Sequence, residues 1–331
     1  MGSTTLIRIL ISLLACLPAL GHASYAGRPE VESFVRDLAQ RHGLAESELK
    51  RVFARVQRLD PVLEAIARPA ERVRSWEEYR ALLITERRIA EGVEFWKKYP
   101  RTLQRAEKKY GVAPEYVVAI IGVETFYGRN TGSWRVVDAL TTLAFDYPPR
   151  ARFFRSELEQ YLLMAREAGI DVFSVRGSYA GAIGIPQFMP SSARRYAVDF
   201  DGNGRIDLQK SRSDAIGSVA NFLKAHGWQR DADVAVEARV AGDAWRAFTD
   251  GRFEPKHSLT ELRQAGIEFD SPEPAGASGI LVELANAERP SDWRVGLRNF
   301  YVITRYNRSA LYAAAVADLA REVRRAYDLG R

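Results

Sequence analysis

Apolar residues recur at three- and four-residue spacing over most of the chain, which is the spacing of one face of an α-helix. In the first third, this pattern covers residues 30–38, 46–54 and 89–96, and prolines 61, 69 and 100 mark boundaries between helices. Four later helices are predicted at residues 114–127, 151–168, 213–225 and 310–327. The pattern therefore predicts a mainly helical protein.

The pattern changes between residues 232 and 285, where the chain acquires strand character. Val234, Val236, Ala238 and Val240 alternate with other residues, and residues 279–284 form a second short strand candidate. The fold class predicted is mainly α (α+β), with a small β-containing insert. The predicted division is a signal peptide (1–23), an N-terminal helical region (24–113), a core (114–231), the insert (232–285) and a C-terminal segment (286–331).

Residues 1–23 have the pattern of a secretory signal: Arg8, an apolar run from residue 9 to residue 17, and a small-residue end at Ala23. Cleavage there would release a soluble periplasmic protein. The alternative is an outer-membrane lipoprotein cut before Cys16, because residues 13–16 resemble a lipobox. Cys16 is the only cysteine, so no intramolecular disulfide is expected in either form.

Composition excludes little but weakens one class of function. The 331 residues are 47% hydrophobic and 27% charged, as in ordinary globular proteins, and the net charge is +6. This excess suits an anionic partner such as nucleic acid, a membrane or a wall polymer. The basic residues are dispersed, however, and no dense Lys/Arg block of the nucleic-acid-binding kind is present, so no nucleic-acid partner is expected.

The candidate catalytic residue is Glu124, on the apolar helix that Pro114 opens. Val117, Ile120 and Ile121 lie seven, four and three residues before it, so they share its face of the helix. Burial favours the neutral carboxylic acid and raises its pKa, as a general acid near neutral pH requires. The negative end of the helix dipole acts in the same direction.

Two other interpretations of this carboxyl group stay open. Glu124 could be a structural partner of Arg129 or Arg150. It could also belong to a glycosidase with two carboxylates, although no second acid in an apolar setting is evident, and Asp138 is expected to cap a helix. One acid suffices where the substrate supplies its own nucleophile.

A second constellation has the spacing of a calcium loop. Asp199, Asp201, Asn203 and Gly204 match positions one, three, five and six of an EF-hand, and Arg205 can offer its backbone carbonyl. Position twelve is Lys210, where a bidentate glutamate is needed, so Asp214 is the nearest substitute. The alternative is an Asp/Asn/Gly turn without a metal.

Several stretches together resemble the B-type lytic murein transglycosylases, a family with a lysozyme-like core. They occur in the expected order and span most of the mature chain. The stretches are residues 120–125, 138–143, 177–182, 186–192, 299–301 and 305–307.

The resemblance implies cleavage of the bond between N-acetylmuramic acid (MurNAc) and N-acetylglucosamine (GlcNAc) in peptidoglycan, leaving a 1,6-anhydro-MurNAc end. Glu124 would protonate the leaving oxygen and then act as base on the sugar's own 6-hydroxyl group. The family also has an enlarged EF-hand-like loop, which implies a structural Ca²⁺ and no cofactor for the chemistry.

The resemblance further implies a set of substrate-binding residues. Aromatic rings stack on sugars, amides and hydroxyls bond to sugar hydroxyl and acetamido groups, and arginine can bind a lactyl or peptide carboxylate. The residues are Tyr79, Tyr147, Arg150, Ser178, Gln187, Phe188, Tyr301, Tyr306 and Asn307. At Phe222, the family pattern leads us to expect a tyrosine instead.

The expected partner is the peptidoglycan glycan strand, with cell-wall synthesis proteins as further partners of a monomer. A hydrolytic muramidase is the alternative within the same class, and a non-catalytic peptidoglycan-binding protein is the alternative outside it. A binder gains little from burying an acid, which argues against the latter.

Overall fold

The computed structural model describes residues 25–67, 74–249, 251–272 and 277–330. The predicted signal segment and Cys16 therefore lie outside the described residues. The chain divides into two compact units between Arg58 and Leu59. The domain boundaries expected at residues 113 and 231 stay predictions.

The described part of the first unit, residues 25–58, contains helices α1 (Pro29–His42) and α2 (Glu46–Arg55). Helix α1 starts with a proline, which suits the first helical position, and ends at Gly43 in the left-handed conformation. The rings of Phe34 and Phe53 join the two helices edge to face, 6.2 Å apart.

The second unit contains the remaining helices. They are α3 (Asp60–Ala67), α4 (Trp76–Leu83), α5 (Glu86–Lys98), α6 (Pro100–Tyr110), α7 (Pro114–Thr125), α8 (Val136–Asp146), α9 (Ala151–Ala168), α10 (Pro190–Tyr196), α11 (Arg212–Ala225), α12 (Leu259–Gln264), α13 (Arg298–Tyr306) and α14 (Ala310–Leu329). All four helices predicted after residue 113 are present, which confirms the mainly helical class.

Within the residues that the structure describes, seven strands accompany these helices. They are β1 (Trp134–Arg135), β2 (Arg176–Gly177), β3 (Ala235–Val240), β4 (His257–Ser258), β5 (Ile267–Phe269), β6 (Ser278–Leu284) and β7 (Asp292–Gly296). Strands β1 and β2 form a small antiparallel pair, and the other five form a sheet in the order β4-β6-β7-β3-β5.

The sheet differs from the predicted insert in extent. The two predicted strands, β3 and β6, do not pair with each other, since both pair antiparallel with β7. The central strand β7 starts at Asp292, beyond the expected end of the insert at residue 285. Asp292, Trp293, Arg294 and Val295 do alternate between polar and apolar, but a stretch of five residues is too short for this pattern alone to predict a strand.

Strand β6 separates two apolar cores. Ile280, Val282 and Leu284 face the main core, whereas Leu281 packs with Val295 in a smaller one that α12 covers. Alternate residues of a strand point to opposite faces, so a mostly buried strand supplies both cores.

The centre of the main core is α7, which is apolar on all sides. Its residues from Val117 to Gly122 are buried, and α5, α6, α11 and α14 pack around it. A helix that is hydrophobic all round belongs in the interior of a large core. Helix α14 lies against both α7 and the sheet strand β6, and it therefore connects the helices of the main core to the sheet.

One buried ion cluster links this packing to the sheet. Asp318 of α14 is 2% exposed and accepts from Arg294 of β7 at 2.9 Å and from Arg80 of α4 at 3.3 Å. Breaking such a buried pair leaves an uncompensated charge, which typically costs about 3–5 kcal/mol. The cluster therefore fixes α4 and α14 relative to the sheet.

Candidate active site

Glu124 is the penultimate residue of α7. The helix starts at Pro114, whose missing N–H is not needed at that position, and ends where Phe126 takes a left-handed conformation. Its end comes two residues before the predicted one because Thr125 redirects the chain. The Thr125 hydroxyl donates to Ile185 O at 2.9 Å and accepts from Gly128 N at 3.0 Å.

The turn after Glu124 has an unusual backbone. Phe126 and Tyr127 have φ values of 51° and 62°, a region that side chains other than glycine rarely adopt. The Tyr127 hydroxyl donates to Arg88 O at 2.8 Å. A Cβ atom on Gly92 or Gly122 would lie 2.6 Å from that hydroxyl oxygen, so both glycines are needed to seat the ring. The seated Tyr127 ring therefore fixes the direction in which the chain leaves α7, and with it the position of Glu124.

The carboxyl group of Glu124 is bound by a phenol. Tyr312 of α14 donates a hydrogen bond of 2.6 Å to Glu124 Oε1. Glu124 is half-buried, but protein atoms crowd its carboxyl group, and burial raises its pKa to about 7. The hydrogen bond from Tyr312 acts in the opposite direction and limits the rise.

The alternative in which Glu124 pairs with an arginine does not match these contacts. Arg129 is paired with Glu91, and the Arg150 guanidinium lies 4.4 Å from the centre of the Phe153 ring. Throughout the described part of the chain, no salt bridge includes Glu124. Asp138 is not a helix cap as expected: it is the third residue of α8, and its carboxylate accepts from Arg135 at 2.6 Å.

Three phenols surround Glu124. The rings of Tyr306 and Tyr312 are nearly parallel, with centroids 6.5 Å apart, and the Tyr306 hydroxyl donates to Pro186 O at 2.5 Å. Burial raises the pKa of both tyrosines well above its usual value, and the Glu124 carboxylate adds to this. Tyr79 of α4 is half-buried, and its pKa is raised by the same two causes in the same order. All three are therefore neutral hydroxyls that can donate hydrogen bonds.

Phe188 packs against one of these tyrosines. It is 2% exposed and packs against Phe222 at 5.6 Å and Tyr306 at 5.7 Å between ring centroids. Little of the ring is left for a ligand, so in this conformation it supports Tyr306 and offers no open face to a sugar. Phe222 is likewise buried among these rings.

Ser178 and Gln187 lie on the loop that Thr125 binds. The Ser178 hydroxyl accepts from Ala182 N at 3.1 Å. Gln187 has a φ of 50°, and its side-chain amide donates to Gly184 O at 2.8 Å and to Thr131 O at 3.2 Å. Both side chains stabilise the shape of the loop, and the hydrogen bond from Thr125 to Ile185 O joins this loop to the end of α7.

Four predicted substrate residues lie apart from this group. Tyr147 and Arg150 belong to the connection between α8 and α9. Asn307 is exposed just after α13, and Tyr301 lies beneath the guanidinium of Arg305, 4.3 Å from its ring centre. Across residues 74–249 and 277–330, no hydrogen bond or ring contact joins any of the four to Glu124.

The calcium-type loop brings three carboxylates together. Oxygen atoms of Asp199, Asp201 and Asp214 lie within 4.8 Å of one another. Asp214 is fully buried at the start of α11, although the loop is longer than an EF-hand's. Burial alone would raise the pKa of Asp199, but backbone N–H groups of Gly204, Gly202 and Asn203 donate to it and lower the pKa overall. Such a set of hard oxygen donors suits a divalent cation like Ca²⁺.

The comparisons with known proteins agree with this geometry. Residues 26–321 match the model of the family described as transglycosylase SLT domain. The chain belongs to this family.

Three relatives show how close the match is. The membrane-bound lytic murein transglycosylase B of Escherichia coli is 42% identical over 308 residues, covering 90% of this chain and 84% of that protein. The soluble lytic transglycosylase SltB1 of Pseudomonas aeruginosa is 49% identical with a TM-score of 0.86, covering 91% of this chain and 100% of that one. The Escherichia coli lytic transglycosylase Slt35 in complex with calcium is 42% identical with a TM-score of 0.82, covering 92% and 95%.

The chain is therefore a lytic transglycosylase of peptidoglycan, as the resemblance implied. Its substrate is the peptidoglycan strand. None of its helices, within the described residues, has the length and apolar character needed to cross a membrane.

Tyr312 is the residue of this lytic transglycosylase that sequence reasoning missed. It lies on the alanine-rich, buried face of α14 and is 2% exposed. A buried tyrosine hydroxyl usually has a hydrogen-bond partner. A tyrosine on an otherwise alanine- and valine-rich face was therefore the available signal, although nothing in the sequence named Glu124 as its partner.

Replacing Tyr312 by phenylalanine should raise the Glu124 pKa further, because the hydrogen bond that stabilises the carboxylate is lost. We expect the alkaline limb of the kcat/KM profile to move up by about one pH unit, since the acid must be protonated to start the reaction. Tyr306→Phe is the matched control, because that hydroxyl donates to Pro186 O and not to Glu124. An alkaline limb unmoved in Tyr312→Phe would contradict this role.

Replacing Glu124 by glutamine should change stability in a pH-dependent way. The folded-state pKa of about 7 lies above the unfolded model value of 4.5, so the fold loses stability as the pH rises through 7. The glutamine variant escapes this loss. We expect equal stability at pH 4 and a gain of at most about 3 kcal/mol at pH 8, measured by urea unfolding, with partial exposure reducing the gain. A glutamine variant less stable than wild type at pH 8 would show that the carboxylate is structurally paired.

Proposed function

We propose that Glu124 alone performs both proton transfers of the cleavage. As a neutral acid it protonates the oxygen that links MurNAc to GlcNAc, and the C1–O bond breaks. The resulting carboxylate then removes the proton from the 6-hydroxyl group of the same MurNAc, whose oxygen bonds to C1. The product carries a 1,6-anhydro-MurNAc end and Glu124 regains its proton.

The arrangement of the Glu124 oxygens supports this sequence of steps. The Tyr312 hydroxyl binds Oε1, and no side-chain hydrogen bond within the described residues includes Oε2, so Oε2 is available to carry the proton. A pKa of about 7 lets the same group donate and then accept at neutral pH. The Tyr312 hydrogen bond stabilises the carboxylate that exists between the two steps.

The surroundings of Glu124 favour the sugar's own hydroxyl as nucleophile. Within the described residues, the titratable groups that interact with Glu124 are the phenols of Tyr79, Tyr306 and Tyr312, and no second carboxyl group shifts its pKa. Most glycosidases that employ water use a second carboxylate to activate or replace it. A hydrolytic muramidase is therefore the less favoured function.

The sugar contacts proposed for the site fall into two groups. Tyr79, Tyr306, Ser178 and Gln187 would contact the sugars next to Glu124, and Phe188 would hold Tyr306 in place. Tyr147, Arg150, Tyr301 and Asn307 would bind sugars farther along the strand, since they lie on other segments. At Phe222 a ring without a hydroxyl offers no hydrogen bond to a sugar.

A structural Ca²⁺ is proposed for the loop before α11. Asp199, Asp201, Asn203 and Asp214 would provide side-chain oxygens, and Arg205 its backbone carbonyl. The clustering of three carboxylates supports the site, because their mutual repulsion is relieved by a cation. The calcium named for Slt35 supports the same assignment.

We also propose export to the periplasm through residues 1–23, with an outer-membrane lipoprotein anchored at Cys16 as the alternative. The relative described as membrane-bound supports the second form, and the one described as soluble supports the first. A monomer that acts with cell-wall synthesis proteins is the expected working form.

Product analysis tests the single-acid mechanism. Digestion of purified sacculi should release fragments lighter by one water than hydrolytic products, as read by mass spectrometry. Glu124→Gln should lower the rate by about a thousandfold or more while the protein stays folded, because an amide cannot donate and recover a proton. Glu115→Gln, on the same helix and paired with Arg324, should retain activity. Reducing ends in the products, or substantial turnover by Glu124→Gln, would refute the mechanism.

Calcium binding should appear as a change in thermal stability. A ligand that binds only the folded state stabilises it, so calcium at a hundredfold excess over its Kd should raise the Tm by about 5 °C. Asp201→Asn should lose most of this response, whereas Asp207→Asn, in the same loop but outside the cluster, should keep it. Identical melting curves with calcium and with chelator would leave the segment a turn without a metal.

A further inference from the structure

A polar pocket of about 580 Å³ lies between α9, α10, α11 and α13. It is distinct from the group of phenols around Glu124. Its lining includes Ser156, Ser192, Arg195, Tyr196, Phe222 and Arg305. The guanidinium groups can only donate hydrogen bonds and the hydroxyl groups can donate them, so the pocket can receive a hydrogen-bond acceptor.

Two of its arginines have no acidic partner. Arg195 is exposed and Arg305 is half-buried, and no salt bridge within the described residues includes either of them. None of the residues that line the pocket is an aspartate or a glutamate. Arg194, by contrast, donates to Glu167 at 2.9 Å and is neutralised there. The pocket therefore has an uncompensated positive charge.

The Arg305 guanidinium is held in place, but not all of its hydrogen-bond donors are occupied. Its guanidinium stacks 4.3 Å from the centre of the Tyr301 ring, and one terminal nitrogen donates to Thr304 Oγ1 at 3.1 Å. Its Nε atom has no hydrogen-bond partner among the residues that the structure describes. Stacking fixes the plane of a guanidinium while leaving its edge free for a planar anion such as a carboxylate.

The nearby acid on α9 is bound by Ser191, and no salt bridge within the described residues joins it to either arginine. Glu157 is 5% exposed, and its two oxygens accept from the backbone N and the hydroxyl of Ser191 at 2.9 and 2.7 Å. This carboxylate stabilises the start of α10. It leaves the positive charge of Arg195 and Arg305 to a ligand.

An aromatic layer connects the pocket to the catalytic carboxyl group. The Phe222 ring lines the pocket and packs on Tyr306, 4.8 Å between centroids. Tyr306 stacks on Tyr312, which binds Glu124. The pocket and the Glu124 site therefore share a wall of aromatic rings, which makes the pocket a neighbour of the catalytic group.

We infer that this pocket binds a carboxylate group carried by the peptidoglycan strand next to the cleaved bond. The inference rests on the proposed function, because it takes Glu124 as the point of cleavage. Two sources carry this chemistry: the lactyl group of a MurNAc without peptide, and the peptide stem. Arg195 and Arg305 would bind the carboxylate, and the hydroxyls of Ser192 and Tyr196 would complete its hydrogen bonds.

The test compares KM for three soluble glycan chains. The first bears peptide stems with free carboxylates, the second lacks stems and has free lactyl carboxylates, and the third has those lactyl groups converted to neutral methylamides. Arg195→Gln and Arg305→Gln are assayed beside wild type. Arg325→Gln, an exposed arginine of α14 outside the pocket, controls for the loss of one positive charge.

We expect each pocket variant to raise KM about five- to tenfold on carboxylate-bearing chains, with kcat changed less than twofold and no effect on the neutral chain. A rise confined to chains with stems identifies the peptide, and a rise on both acidic chains identifies the lactyl group. Arg325→Gln should match wild type throughout. If Arg305→Gln melts at a lower temperature because its stack on Tyr301 is lost, the KM of Arg195→Gln is the test, since Arg195 is exposed.

Unchanged KM in Arg195→Gln on both acidic chains would overturn the inference, and so would an equal rise on the neutral chain. Failure of the proposed function is a separate result, since wild type would then release products without anhydro ends. Wild type with anhydro products and indifferent pocket variants refutes the pocket alone.

Discussion

The hydrogen bond from Tyr312 to Glu124 joins two positions 188 residues apart, and the active site depends on it. An acid at the end of an apolar helix is shielded from water on most sides, which raises its pKa to about 7 and leaves a large fraction of it protonated near neutral pH. One phenolic donor offsets part of this effect. The balance between burial and a single hydrogen bond gives one carboxyl group the properties of both an acid and a base.

The surrounding structure keeps that balance fixed. Two glycines seat Tyr127 under the end of α7, and Thr125 ties the same end to the loop of Ser178 and Gln187. Asp318, buried against Arg294 and Arg80, fixes the helices that carry Tyr312 and Tyr79. Small shifts in these supports would change both the shielding of Glu124 and the length of its hydrogen bond.

Helix α11 contributes residues to both the cluster of three carboxylates and the pocket that Arg195 and Arg305 line. Asp214 in its first turn belongs to the cluster, and Phe222 near its end lines the pocket and supports Tyr306. A cation bound at the start of this helix would therefore steady a support of the catalytic site without touching substrate. The stability gained from the cation would then depend on the start of α11, and recognition of the peptidoglycan strand on its end.

Local patterns were sufficient for helices α1, α2, α5, α7, α9, α11 and α14, for the two longest strands of the sheet and for the position of Glu124, because periodicity and helix-ending residues act over a few positions. The family motifs also led to the lytic transglycosylase activity. Strand β7, the partner of both predicted strands, was not predictable because its pairing is long-range and its own sequence is short. Only the tertiary structure decided that Phe188 is buried, that Asp214 joins Asp199 and Asp201, and that Tyr312 binds Glu124. Each of these contacts depends on how segments far apart in the sequence pack against one another. The propensities of a single segment do not determine that packing.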